Sequence, residues 1–236
     1  MALQKIHKDY MWYLLKHFKL ILTIICISDY SFAQKIIKTF SKDSLSIYLP
    51  KSSTIENKTI PKDYNDAIII ALQYYPKLAK TKIKFKVKNQ LAPLSARPTI
   101  WSTFVKPHKR KYIICISDKS IEKLNPILLK NLSFNAQIGV IGHELSHISE
   151  YNSKKGAFFI RLAFKHFLKK KMDLFEFNTD MRCIEHGLGY QLLSWSEEVR
   201  EKLSLTKWGG ANEPKREKYM NPNTIKQSIS CILIYK

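Results

Sequence analysis

Apolar residues change their spacing along the chain, and that change divides it. From Asp63 the positions Ala67, Ile70, Ala71, Tyr74 and Tyr75 recur at helical intervals, and Pro76 closes the helix or kinks its last turn. Ile83, Phe85 and Val87 then alternate with Lys84, Lys86 and Lys88. A period of two with one solvated face predicts a half-buried strand. Tyr112 to Ile116 is continuously apolar, rich in β-branched residues and too short for an ordinary helix, so it predicts a second and more buried strand. Pro93, Pro98 and Pro107 make the connection between the two strands a predicted loop. Upstream, Lys38 to Lys62 mixes Lys, Ser and Thr and is expected to be an extended arm or a first strand.

Helical patterns follow: Ala136 to Tyr151, Gly156 to Met172, Leu174 to His186 stopped by Gly187, and Gly189 to Leu203. After Trp208, the Gly209-Gly210 pair, Pro214 and Pro222 predict a loop-rich C-terminal tail, with Ile229 to Tyr235 as a possible closing strand. Strands first and helices afterwards predict an α+β domain with a small antiparallel or mixed sheet at one end. There is no internal repeat.

The first residues follow different rules. Lys16 and Lys19 precede an apolar run from Leu20 to Ile27, and Ser31 and Ala33 supply small residues. That order is expected of an export signal over residues 1–33, cleaved before Gln34, which leaves 34–236 as a single domain outside the cytoplasm. An uncleaved anchor is the alternative, but Lys16, His17 and Lys19 leave the segment well short of the roughly 20 apolar residues of a membrane span.

Composition adds a strong charge. The formal net charge is +21, and loss of the leader would leave +19. Such a field attracts nucleic acid, anionic lipid or the acidic polymers of an envelope surface. No aromatic-interleaved RNA motif or zinc-finger spacing is present, so specific nucleic-acid binding is not expected. Cys26 lies in the leader, and Cys115, Cys183 and Cys231 have no paired spacing, so no disulfide framework is implied. The segment Phe158 to Lys171 places Arg161, Lys165 and Lys169 opposite Phe159, Ile160, Ala163, Phe164 and Phe167. It is expected to be an amphipathic helix that covers a cleft or lies on a membrane surface.

The candidate chemistry centres on His143-Glu144-Leu145-Ser146-His147 within a predicted helix. Residues four apart share a helical face, so both imidazoles can ligate one ion, with Glu144 placed to act as general base on a water. No Lys or Arg occurs from Asn131 through Ser153, although 40 of the 236 residues are basic. That helix is therefore expected to be covered on most sides. Ile138, Ile141, Leu145 and Ile148 form one apolar stripe nearly opposite the histidines, and Gly139 and Gly142 imply close packing against that turn. Downstream, Glu176 and Asp180 share a face at i and i+4. Glu176 can complete a His₂Glu site, and Asp180 can accept the second ring proton of a ligand histidine.

These motifs resemble the gluzincin metallopeptidases, in which an HExxH helix is followed by a Glu-x-x-x-Asp helix; here the second reads Glu176-Phe177-Asn178-Thr179-Asp180. Val140-Ile141-Gly142 fits the small and aliphatic positions before the first His, and Ser149 departs from the pattern. The resemblance spans about Tyr112 to Tyr190. It implies a zincin-like fold with a small sheet over the HExxH helix, Zn²⁺ as cofactor, and a peptide or protein substrate paired to an edge strand, for which Tyr112 to Ser117 is the candidate. It also implies a transition-state donor that no local motif marks; Tyr190 and His186 are the candidates. The rival expectation is a non-catalytic basic envelope-binding or scaffold protein with a structural or vestigial metal site, its fourth position closed by a residue such as Cys183.

Overall fold

Four short strands form a mixed sheet among the described residues of the computed structural model, which are 36–48, 56–154, 158, 169–205 and 219–236. They are β1 (Lys58–Thr59), β2 (Lys82–Lys88), β3 (Leu94–Pro98) and β4 (Lys111–Ser117), in the order β1-β2-β4-β3. β2 pairs parallel with both β1 and β4, and β3 runs antiparallel to β4. The predicted alternation in β2 holds: Ile83 and Phe85 are buried and its lysines are exposed.

Tyr112 to Ser117 is not an edge strand, because β4 is paired on both sides; its unbroken apolar run belongs to a central strand. The edge next to β4 is β3, inside the stretch predicted to be a loop. Pro98 ends it, as an edge strand allows where no ladder N–H is required. Of the predicted arm or first strand Lys38 to Lys62, residues 49–55 lie outside the described residues; the rest holds a 3₁₀ turn (Lys42–Ser44), one helical turn (Leu45–Tyr48) and the two residues of β1.

The main helices are α1 (Asn65–Gln73), α2 (Phe134–Ser153), α3 (Lys169–Cys183), α4 (Gly189–Leu205) and α5 (Pro222–Cys231). Ser133 caps α2, accepting from the Ala136 amide at 3.4 Å. Its other end is met by fully buried Arg110, which donates to the carbonyls of Tyr151 and Lys154 and ties α2 to the turn before β4. A π-helical turn, Ile184–Leu188, joins α3 to α4, and Gly187 there has φ 91°, the left-handed break its sequence position suggested.

The possible strand at Ile229 to Tyr235 is instead the end of α5 followed by a 3₁₀ turn, Leu233–Tyr235. Asn221 caps α5 with its Oδ1 on the Thr224 amide at 2.9 Å, Pro222 occupies the first turn, and Ile225 and Ile229 are buried one helical turn apart.

α2 runs through the middle of the fold, packed against β3, α1, α3 and α4. Every residue from Ile138 to Ile148 is buried, which is why the helix carries no lysine. A Cβ on Gly139 would stand 2.2 Å from the Gln191 carbonyl oxygen, so α2 and α4 meet backbone to backbone. No helix among the described residues is long and apolar enough to cross a membrane. The predicted leader and most of the predicted 156–172 helix lie outside the described residues.

Candidate metal centre

α2 and α3 bring His143, His147 and Glu176 together. His143 Nε2 and His147 Nε2 are 3.1 Å apart, and Glu176 Oε2 lies 3.3 Å from each. All three residues are buried, and among the described residues they are the group of His, Cys, Asp and Glu side chains arranged to hold an ion.

The tautomers explain why that triangle needs a cation. Asp180 Oδ1 is 2.7 Å from His143 Nδ1 and, as a carboxylate, can only accept, so the proton of that ring sits on Nδ1. The Thr179 hydroxyl donates to the Phe175 carbonyl at 2.9 Å, which leaves its lone pair for His147 Nδ1–H at 3.3 Å. Both Nε2 atoms therefore turn lone pairs toward the same point, where the carboxylate oxygen adds a third. One proton could bridge one edge of such a triangle but not all three. Tetrahedral ligation at about 2.0–2.1 Å spaces ligand atoms by about 3.3–3.4 Å, the size of this triangle.

The charge count agrees. Glu144, Glu176 and Asp180 are three buried acids; Glu144 Oε2 has no hydrogen-bond partner among the described residues, and Glu176 Oε2 faces the two imidazoles at 3.3 Å. Such atoms are costly to bury without a compensating cation. Without a metal, protons are drawn in: burial opposes a charged His143, but the Asp180 and Glu176 carboxylates outweigh it and push the ring up to about 10. Burial alone would raise Glu176, yet contact with the two rings holds it well below the usual carboxylate range. The residues fit a metal ion.

Glu144 lies one position beyond His143, and the Ala96 backbone of β3 hydrogen-bonds it. Burial pushes its carboxyl above the ordinary range, and the two histidines only partly offset that. Aromatic rings enclose the histidines. Phe175 stacks on His147 at 5.2 Å, and Trp195 and Tyr219 flank His143 at 5.7 and 5.6 Å.

Tyr190 and His186 have their partners elsewhere. Tyr190 packs edge-on against Tyr235 beneath Lys38, while the His186 ring lies on Tyr75 with Nδ1 2.9 Å from the Tyr74 carbonyl. Two phenols share the site: Tyr151 stacks on His147 at 5.9 Å, where burial with Glu144 and Glu176 keeps it protonated, and burial together with Glu176, Glu144 and Asp180 likewise holds Tyr219 protonated far above its usual range. Tyr219 comes from the stretch expected to be loop-rich tail, and no motif marks it. Its neighbour Met220 donates its amide to Asp180 Oδ2 at 2.8 Å, so that carboxylate is held at both oxygens. Cys183 is not a ligand. Its thiol is buried against Gly142 and lies 4.0 Å from the Gly139 carbonyl. No protein-family model, curated protein or solved structure matches this chain.

Proposed function

We propose that this protein is an exported zinc-dependent peptidase with a zincin-like fold of the gluzincin type. The observation that carries the proposal is a His₂Glu triangle of tetrahedral size with an adjacent buried carboxylate, Glu144, that is not part of the triangle. Three protein ligands leave a coordination position open, which separates catalytic zinc sites from closed structural ones. A zinc ion held by His143, His147 and Glu176 would supply Lewis-acid polarisation of the scissile carbonyl and acidify water beside it.

The remaining work falls to the chain itself. Glu144, its affinity for a proton raised by burial, takes the proton of the attacking water and delivers it to the leaving amine. The Tyr219 hydroxyl stays protonated and donates to the oxygen that gains charge. β3 ends the sheet with its Ala96 backbone touching Glu144, which suits it to pair with an extended peptide across the site. The charged, apolar and small-residue order of 1–33 supports export.

Glu144→Gln separates ligation from catalysis, because glutamine keeps the shape and cannot take the proton. It is expected to bind one zinc per chain and to lose about 10²–10⁴-fold in cleavage of a mixed peptide pool that the wild type cleaves. Equal cleavage by both proteins would refute the mechanism. Zinc bound with no cleavage by the wild type would leave the scaffold alternative, with a structural metal. Tyr219→Phe in the same assay should lower turnover while leaving zinc content unchanged.

A further inference from the structure

The turn between β3 and β4 has its polarity reversed. In its 3₁₀ segment, Ile100–Phe104, the buried residue is Ser102, 4% exposed, while Ile100, Trp101 and Phe104 are 73%, 82% and 81% exposed. Local hydrogen bonds hold this arrangement. The Ser102 hydroxyl lies 2.6 Å from that of Thr99 and accepts from the Lys111 amide at 2.8 Å, and Arg110 Nε donates to the Val105 carbonyl at 3.1 Å. A turn built to point a tryptophan, a phenylalanine and an isoleucine outward is not explained by folding, since all three lose hydrophobic stabilisation there.

The charge around the turn narrows the partner. No Asp or Glu occurs from residue 67 to 117, a stretch with 11 Lys and Arg. Strand register gathers these charges: Lys82, Lys84, Lys86 and Lys88 of β2 share a sheet face with Lys111 of β4, and Arg97 of β3 pairs with Ile113 on the same side. The opposite face carries Ile83, Phe85, Tyr112, Ile114 and Ile116 into the core. Exposed Lys106, His108 and Lys109 flank the turn directly. A basic sheet face thus ends in an apolar, aromatic tip. A polyanionic polymer would satisfy the lysines but leave Ile100 exposed, whereas a bilayer offers phosphate to the lysines and hydrocarbon to the tip.

We propose that the Ile100–Phe104 turn and the lysine face of the sheet dock this protein on an anionic lipid bilayer, the turn entering the boundary between headgroups and acyl chains. Trp101 sits at headgroup depth, and the lysine stems lie along the surface with their ammonium groups toward phosphate. Docking is independent of the metal centre.

The test uses the full chain and phosphatidylcholine vesicles with and without phosphatidylglycerol. Wild type is expected to bind the anionic vesicles much more tightly than the neutral ones. The triple variant Ile100→Ser, Trp101→Ser, Phe104→Ser should lose about tenfold or more of that binding with an unchanged urea midpoint. Trp101→Phe, which keeps the apolar tip, should bind like wild type while losing the fluorescence component quenched by brominated lipid. That readout reports the turn itself, so attachment through another segment cannot mimic it. Undiminished binding by the triple variant, equal binding to neutral vesicles, or quenching unchanged in Trp101→Phe would each overturn the proposal. So would single-stranded oligonucleotide binding that the triple substitution abolishes while vesicle binding persists, since the partner would then be a nucleic acid.

Discussion

His143 and His147 are each oriented by a partner on α3, but the two partners differ in strength. Asp180 is a charged acceptor at 2.7 Å, itself fixed by the Met220 amide; Thr179 is a neutral acceptor at 3.3 Å, committed by its own bond to Phe175. Charge-assisted bonds are roughly twice as strong as neutral ones. Asp180→Asn is therefore expected to weaken metal affinity by about 10–100-fold and Thr179→Val by less, as measured by competition with a chromophoric chelator. The reverse order would mean that Asp180 does not orient His143. The pair Glu176 and Asp180 was legible from its spacing, whereas Thr179 was not, because its role depends on a hydroxyl bonding back to the carbonyl four residues earlier. The proton on His143 gives a pH signature as well. Its folded value of about 10 lies above the ordinary 6.5, so charged His143 stabilises the metal-free fold fully below about pH 6.5, and this contribution is lost as pH rises through about 10. A bound metal occupies the same lone pair and removes the dependence. The urea midpoint of chelator-treated protein should therefore fall from about pH 7 to 10.5 more steeply than that of metal-loaded protein, and parallel profiles would contradict the assignment.

α2 is the element whose sequence spoke most directly, because helical spacing, absent lysines and paired histidines all follow from one helix buried on every side. Its two glycines make a graded prediction. In an exposed helix interior, Gly→Ala gains up to about 1 kcal/mol. At Gly139 the new Cβ would meet backbone, the Gln191 carbonyl at 2.2 Å, which cannot turn aside. At Gly142 it would meet the tip of Leu188 at 2.6 Å and the Cys183 sulfur at 3.0 Å, which can shift. Gly139→Ala should therefore lower stability by roughly 1–3 kcal/mol and Gly142→Ala by less, read from urea unfolding; a stabilised Gly139→Ala would deny the close α2–α4 contact. β3 was the least legible element. Leu94-Ser95-Ala96-Arg97-Pro98 has little β-branching and ends in proline, so nothing local marks it; it is a strand because β4 offers an unpaired edge. The end of the chain failed for the opposite reason. Ile229 to Tyr235 contains three isoleucines and a leucine, a run that suits a strand, and Pro222 was read as a loop marker, whereas in the fold it occupies the first turn of α5.

At the scale of the whole molecule, the site is closed by residues far from its motifs. The two motifs lie within 38 residues of one another, but Tyr219 and Met220 arrive from some 40 residues further on, and a local pattern cannot encode that return. The return is held by Ser196 and Arg200 of α4: the Ser196 hydroxyl donates to the Met220 carbonyl at 2.9 Å, and Arg200 Nη2 donates to the Tyr219 carbonyl at 3.2 Å. One path of bonds therefore runs from α4 through Met220 and Asp180 to His143 Nδ1. If the 219–221 segment opens, Asp180 loses an amide donor and the ligand ring loses its fixed partner, so opening and metal release are coupled. A metal that binds the closed form alone stabilises it by RT ln(1 + [L]/Kd), about 2.7 kcal/mol at a hundredfold excess over Kd. Amide exchange in a peptide covering 219–231 should then slow by up to about 100-fold on zinc loading, as read by mass spectrometry, while exchange in β2, remote from this path, stays the same. Asp180→Asn should remove most of that added protection even at zinc concentrations that fill the site. Exchange in 219–231 that ignores zinc would mean that the C-terminal segment covers the centre without being coupled to it.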